Sequence, residues 1–213
     1  MFSRRRFESR PTAAVPRVAS PDKAVVPEST LDLATLRVLG TNLQDGTIDH
    51  EKYRQALAAL LLQRFRCSRV TLWRFVGNAG RRILRCVAAR SLVDGPLPAG
   101  SELGERQYER YFEELIKSGA YVCPDTLADP RLAALRDRHE RPDGTRALLD
   151  AAFTINGTAF GVLCCEQTDT TRTWEAGEVR DLRRFAAIVS LQIARIEGHD
   201  AWTLRPGGDR GAA

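Results

Sequence analysis

Apolar positions along the chain follow two different periods, and the switches between them mark out the elements. From Asp49 onward, Tyr53, Leu57, Leu60, Leu61 and Phe65 recur at spacings of three and four with no Gly or Pro inside. This predicts a helix of about five turns with one buried stripe. A shorter helix precedes it, capped at Ser29-Thr30, carrying Leu31, Ala34 and Val38, and stopped by Gly40. The period then drops to two. Residues 70–75 and 83–88 are rich in β-formers and flank Gly77-Asn78-Ala79-Gly80, which reads as an antiparallel hairpin. Alternation sets Val70, Leu72 and Arg74 on one face and Thr71, Trp73 and Phe75 on the other. Neither face is purely polar, so the sheet is expected to be covered on both sides.

Helical spacing returns from Glu105 to Lys117, with Tyr108, Tyr111, Phe112, Leu115 and Ile116 on one side and Gly119 as the break. A short strand, Ala120 to Cys123, ends at Pro124. Asp129-Pro130 then opens a short helix through Leu132, Leu135 and Arg138. Asn156-Gly157 is the clearest turn in the chain, because both residues tolerate positive φ as a type I′ hairpin requires. It joins strands at about 148–155 and 158–166. A final helix from Glu175 to Glu197 carries Val179, Leu182, Phe185, Ala186, Val189, Ile193 and Ile196 as its stripe. The resulting fold class is α+β, a central antiparallel sheet with helices on both faces.

Composition narrows this picture. With 213 residues, 43% hydrophobic and 28% charged, the chain is globular in character and has room for one domain with tails. We place that domain at 29–197, between a proline-bearing basic arm at 1–28 and a loose tail at 198–213. The net charge is only +5, and all but three of the 32 basic residues are arginine. That reads as compositional bias rather than a nucleic-acid surface. Arg4-Arg5-Arg6 could anchor the arm to an anionic partner, but no aromatic pattern accompanies them. The longest apolar stretch, Leu148 to Cys165, is interrupted by Asp150 and Asn156-Gly157, so no membrane span is expected. The five cysteines show no C-x-x-C spacing and the three histidines lie far apart. Neither a disulfide framework nor a metal site has support, and the expected compartment is the cytoplasm.

Several strings together resemble a GAF domain, the small-molecule sensor module of bacterial signalling proteins, over residues 29–197. They are RVTLWRF (69–75), LRCVA (84–88), YFEEL (111–115), CPDTLADPR (123–131), LLDAAFTINGTAFGVLCCEQ (148–167) and RTW (172–174). Similar patterns recur in GAF domains that sit in front of histidine kinases and diguanylate cyclases. The resemblance implies a ligand cavity under the 108–117 helix and dimerisation through terminal helices. On that plan the candidate ligand contacts are Trp73, Cys86, Tyr111, Cys123, Asp125, Leu149, Cys164 and Glu166.

Each candidate has a plainer reading. Trp73 and Tyr111 are either stacking walls or simple core, and Asp125 either orients a ligand or holds an Asx turn. Cys164 and Cys165, adjacent on a strand, must face opposite ways, and a redox pairing of either with Cys123 depends on their meeting in space. The cyclic-nucleotide signature and the Cys-His pair of bilin-binding relatives are missing, so no attached bilin is expected and the cofactor stays open. Glu175 followed by Gly177 is a weak start for the last helix. With the chain ending at Ala213, output is expected to pass to a partner, such as a histidine kinase or diguanylate cyclase encoded nearby, or through a homodimer.

Two other functions compete with the sensor reading. One is a ligand-free adaptor, in which Leu191, Ile193 and Ile196 pair across a two-fold axis. The other is a methionine sulfoxide reductase using Cys86 and Cys123.

Overall fold

The computed structural model describes residues 28–135 and 144–196. The basic arm up to residue 27, the tail from 198, and Arg138, at the expected end of the short helix, lie outside the described residues. Helices α1 (Glu28–Gln44) and α2 (His50–Phe65) lead into strands β1 (Arg69–Val76), β2 (Ile83–Ser91), β3 (Gly95–Leu97) and β4 (Glu102–Gly104). There follow α3 (Glu109–Ser118), β5 (Ala120–Cys123), a 3-10 helix (Pro130–Leu135), β6 (Thr145–Ile155), β7 (Thr158–Thr168) and α4 (Ala176–Ala194). All strands pair antiparallel in one sheet of order β3-β2-β1-β7-β6-β5, and β4 shares the outer edge of β2 with β3. The α+β class with helical cover on both faces is what the alternating patterns predict.

Period-two burial divides the core in two. Val70 and Leu72 of β1, Leu149 and Ala151 of β6, and Leu163 and Cys165 of β7 pack with α1, α2 and α4 on one face. Leu148, Val162 and Cys164 pack on the other with Phe112 and Leu115 of α3 and Leu132 of the 3-10 helix. A bulge in the β1–β2 pairing sets Leu72 opposite Ala88 and Trp73 opposite Cys86, leaving Val87 extra. Val87 and Ala88 consequently both join the helical-face core. The hairpin turn is as expected, with Asn156 at φ 50° and Gly157 at φ 75°.

Three local expectations need correction. Gly40 lies inside α1 rather than ending it. A Cβ there would come within 2.2 Å of Gln192 Nε2, so the glycine serves close approach to α4 instead of termination. Gln192 is held at both ends of its amide, accepting from the Tyr53 hydroxyl (2.6 Å) and donating to the Leu36 carbonyl (2.8 Å). Helix α3 starts at Glu109, not Glu105, because Glu105 is committed to Arg82. Its N–H donates to the Arg82 carbonyl (2.8 Å), and its carboxylate accepts from the Arg82 backbone and guanidinium at 2.8 Å each. Strands β3 and β4, where the apolar pattern raised no expectation, form against the edge of β2. Helix α4 is not weak at its start, since Glu178 accepts from the Glu175 N–H (2.8 Å).

The R-x-W string also finds its physical reason here. Arg172 donates to the Phe65 carbonyl at 2.7 Å and the Arg66 carbonyl at 3.0 Å, where the α2 backbone runs out of partners. It pairs with Glu178 at 2.7 Å and lies 4.1 Å from the centre of the Trp174 ring. One guanidinium thus ties the end of α2 to the start of α4.

Replacing Gly40 by alanine should lower stability by about 1–3 kcal/mol in urea unfolding, despite alanine's better helix propensity, because the new methyl displaces the Gln192 amide from its buried partners.

Candidate functional site

On the sheet face opposite α1, α2 and α4, β1, β2, β6 and β7 form the floor of a cavity of about 380 Å³. Tyr111 of α3 closes one side, and Leu97, Pro98, Ser101 and Leu103, at the outer edge of β2, close another. The edge holds because Cys86 exchanges backbone hydrogen bonds with the following loop, its N–H donating to Ser101 (2.8 Å) and its carbonyl accepting from Gly100 (2.9 Å). Leu97 and Pro98 also line a second cleft, with Ile48 and Arg54 at the α1–α2 corner.

A carboxylate organises the floor. Glu166 on β7 is only 6% exposed. Its Oε2 accepts from Arg69 Nη2 (2.6 Å), Arg69 Nε (2.9 Å) and the Thr145 hydroxyl (2.5 Å), while its Oε1 accepts from the Thr71 hydroxyl (2.6 Å). The Trp73 indole N–H donates to the Thr71 oxygen at 2.8 Å, which fixes the ring. Burial pushes the Glu166 carboxyl up, but the Arg69 charge and the threonine hydroxyls outweigh it and hold the group below the usual glutamate value. The network ties β1, β6 and β7 together and stays ionised at neutral pH.

A second carboxyl behaves in the opposite way. Asp150 on β6 is fully buried, and its Oδ2 accepts from the Tyr111 hydroxyl at 2.8 Å. Burial pushes its pKa up to about 7, with the like charge of Glu166 adding to the rise and the nearby Cys164 thiol and the Tyr111 hydroxyl opposing it. Tyr111 is itself raised, first by burial and then by the Asp150 charge.

Of the residues expected to touch a ligand, Trp73, Cys86, Tyr111, Cys164 and Glu166 line this cavity. Leu149 does not, because it is one position out of phase with Leu148 and Asp150 and packs in the helical-face core. Cys123 is buried in the core on the α3 side and does not line the cavity. Asp125 sits in the turn before the 3-10 helix, where it accepts from the Leu127 N–H (3.1 Å) and pairs with Arg146 (3.3 Å). Cys164 and Cys165 face opposite sides, as adjacent strand residues must. The thiol that meets Cys165 is Cys67, drawn down by that hydrogen bond against its burial. Burial pushes the thiols of Cys86 and Cys123 up to about 12, so neither is the thiolate that a reductase requires.

Reading residue by residue missed Arg69, Thr71, Thr145 and Asp150. A signal existed for Asp150, the lone charge within the apolar run from Leu148 to Cys165. None marked Arg69 or Thr145, which acquire meaning only when the sheet aligns them with Glu166.

The architecture and the sequence agree with one family, whose model, for the GAF domain, matches residues 49–193. The chain belongs to the GAF family. Among curated proteins nothing matches it. Among solved structures, it is similar to the PixJ GAF domain of Thermosynechococcus elongatus, with 18% identity and a TM-score of 0.57 over 77% of this chain and 88% of that one. It is also similar to a phycoerythrobilin-bound GAF domain from a cyanobacterial phytochrome, with 14% identity and a TM-score of 0.62 over 76% and 94%. A segment of a methyl-accepting chemotaxis protein, residues 122 to 287, gives 21% and 0.55 over 74% and 95%. At these identities the likeness is one of fold. This GAF chain has no group of metal-ligating side chains among its described residues, and no described helix is long and apolar enough to cross a membrane.

An Asp150 that keeps its proton up to about pH 7 when folded, and loses it near 3.8 when unfolded, makes the native state bind more protons across that window. Stability should therefore fall as pH rises from about 4 to about 7, and Asp150→Asn should remove that fall, worth at most about 4 kcal/mol. Glu166 works the other way, its contribution being lost as pH drops through its lowered native pKa, below the ordinary glutamate value. Urea unfolding of both proteins across pH 4–8 measures the difference, and superimposable profiles would refute the assignment.

Proposed function

We propose that this GAF domain is a sensory module that binds a small molecule in the cavity beneath α3 and passes occupancy to α1, α2 and α4. The observation that carries the reading is the cavity itself, of about 380 Å³, with aromatic walls and a few placed polar groups. Pockets for small ligands have this character. The same strands that floor the cavity present their alternate residues to the helical layer, so a shift of β1, β6 or β7 is felt on both faces. A non-enzymatic role fits the protonated, buried state of Cys86 and Cys123, and it sets aside the reductase reading.

Output would pass through a homodimer or to a signalling partner such as a histidine kinase or diguanylate cyclase. The expectation that Leu191, Ile193 and Ile196 form a pairing stripe needs revision. Ile193 is fully buried and Ile196 packs against the core, whereas Leu191 on α4 and Val38 on α1 stay 62% and 58% exposed. Self-association would rest on these two exposed residues.

Native mass spectrometry of protein purified from its host, with a thermal-shift screen of amino acids, amines, nucleotides and tetrapyrroles, tests the ligand. A bound or stabilising compound is expected, since binding to the native state raises stability by mass action. If both are blank, the adaptor reading prevails. Light scattering at tens of micromolar should report a dimer that Leu191→Glu shifts to monomer; a wild-type monomer would remove self-association from the proposal.

A further inference from the structure

Among the carboxylate oxygens that belong to cavity-lining residues, Asp150 Oδ1 stands apart. Both oxygens of Glu166 accept hydrogen bonds, and Asp150 Oδ2 has Tyr111. Oδ1 is buried with no hydrogen-bond partner. The neighbouring Cys164 thiol is directed to Glu166 Oε1 at 3.7 Å. A buried acceptor without a donor costs about 1–3 kcal/mol, and more when it carries charge. Native proteins tolerate few such atoms, and each needs an explanation.

The charges around it favour one kind of donor. Arg69 and Glu166 are in contact at 2.6 Å and offset one another. The charge that bears on Asp150 is the like charge of Glu166, so the cavity carries one carboxylate too many whenever Asp150 is ionised. An anionic ligand would add a third negative group beside a guanidinium already engaged. A ligand with only acceptors would leave Oδ1 unserved. A protonated nitrogen supplies both the donor and the missing positive charge, and Trp73 and Tyr111 give the same cavity an aromatic lining for the rest of the molecule.

Resting on the reading of this cavity as a ligand site, we infer that it takes a small organic cation, a compact amine whose protonated nitrogen donates to Asp150 Oδ1 and whose apolar body lies against Trp73 and Tyr111. The cavity volume is at the small end for ligand pockets, which suits an amine with one or two rings.

Isothermal titration calorimetry with three probes of similar size tests this: phenethylamine, 2-phenylethanol and 3-phenylpropanoate. The amine should bind at least about tenfold more tightly than the alcohol, the difference expected of a hydrogen bond to a charged group, and the acid should not bind. Asp150→Asn, shown to be folded by circular dichroism, should erase the preference for the amine, bringing its affinity down to that of the alcohol. Tyr111→Phe keeps the carboxylate and should keep the preference, which separates loss of charge from collapse of the cavity. Equal binding of amine and alcohol, preference for the acid, or undiminished amine affinity in Asp150→Asn would overturn the inference and leave the ligand-site reading standing. Failure of all three probes to bind the wild-type protein also overturns it, and the mass spectrum of the protein from its host then decides the ligand-site reading separately.

Discussion

A side chain on β1, β6 or β7 has two destinations, the helical core or the cavity, and successive residues take them in turn. That alternation is a covalent property of extended backbone, and most of the domain's organisation follows from it. Leu149, Ala151, Leu163 and Cys165 go to the helices, while Leu148, Asp150, Cys164 and Glu166 go to the other side. A slip of one residue in the β6–β7 pairing would turn one of the two strands over, carrying Asp150 or Glu166 into the apolar helical core and removing that carboxyl group from the cavity floor. The Asn156-Gly157 turn and the ladder it starts therefore secure the site as well as the sheet.

Within that constraint the two carboxyl groups illustrate how surroundings decide chemistry. Glu166 and Asp150 stand on paired strands and both are buried. Glu166 has a guanidinium and two hydroxyls gathered around it and stays ionised, whereas Asp150 has one hydroxyl bonded to it and holds its proton more tightly. Their difference arises from Arg69, Thr71 and Thr145, residues distant in sequence that the antiparallel ladders bring to one end of the sheet.

The elements with a strong period were legible in the chain: α2, the β6–β7 hairpin and α4 stand where their spacing of apolar residues puts them. What escaped was whatever depends on a neighbour. Gly40 looks like a stop until α4 lies beside it, β3 and β4 carry no period of their own until β2 offers an edge, and Glu105 looks helical until Arg82 claims it. The site divides along the same line. Trp73, Tyr111, Cys164 and Glu166 were reachable from family likeness and strand phase. Leu149 was assigned to the wrong side for want of that phase, and the Arg69–Thr145–Glu166 cluster was invisible because its members are up to 97 positions apart.

The junction of Tyr53, Gln192, the Leu36 carbonyl and Gly40 carries a mechanical consequence. Its side-chain amide is gripped by α1 and α2 at once, and it rests on the one α1 position without a β-carbon. Sliding any of these helices by a turn would strand a half-buried amide and drive a side chain into its neighbour. The trio is therefore stiff toward translation and behaves as a single lever, for which tilting as a unit is the cheap displacement.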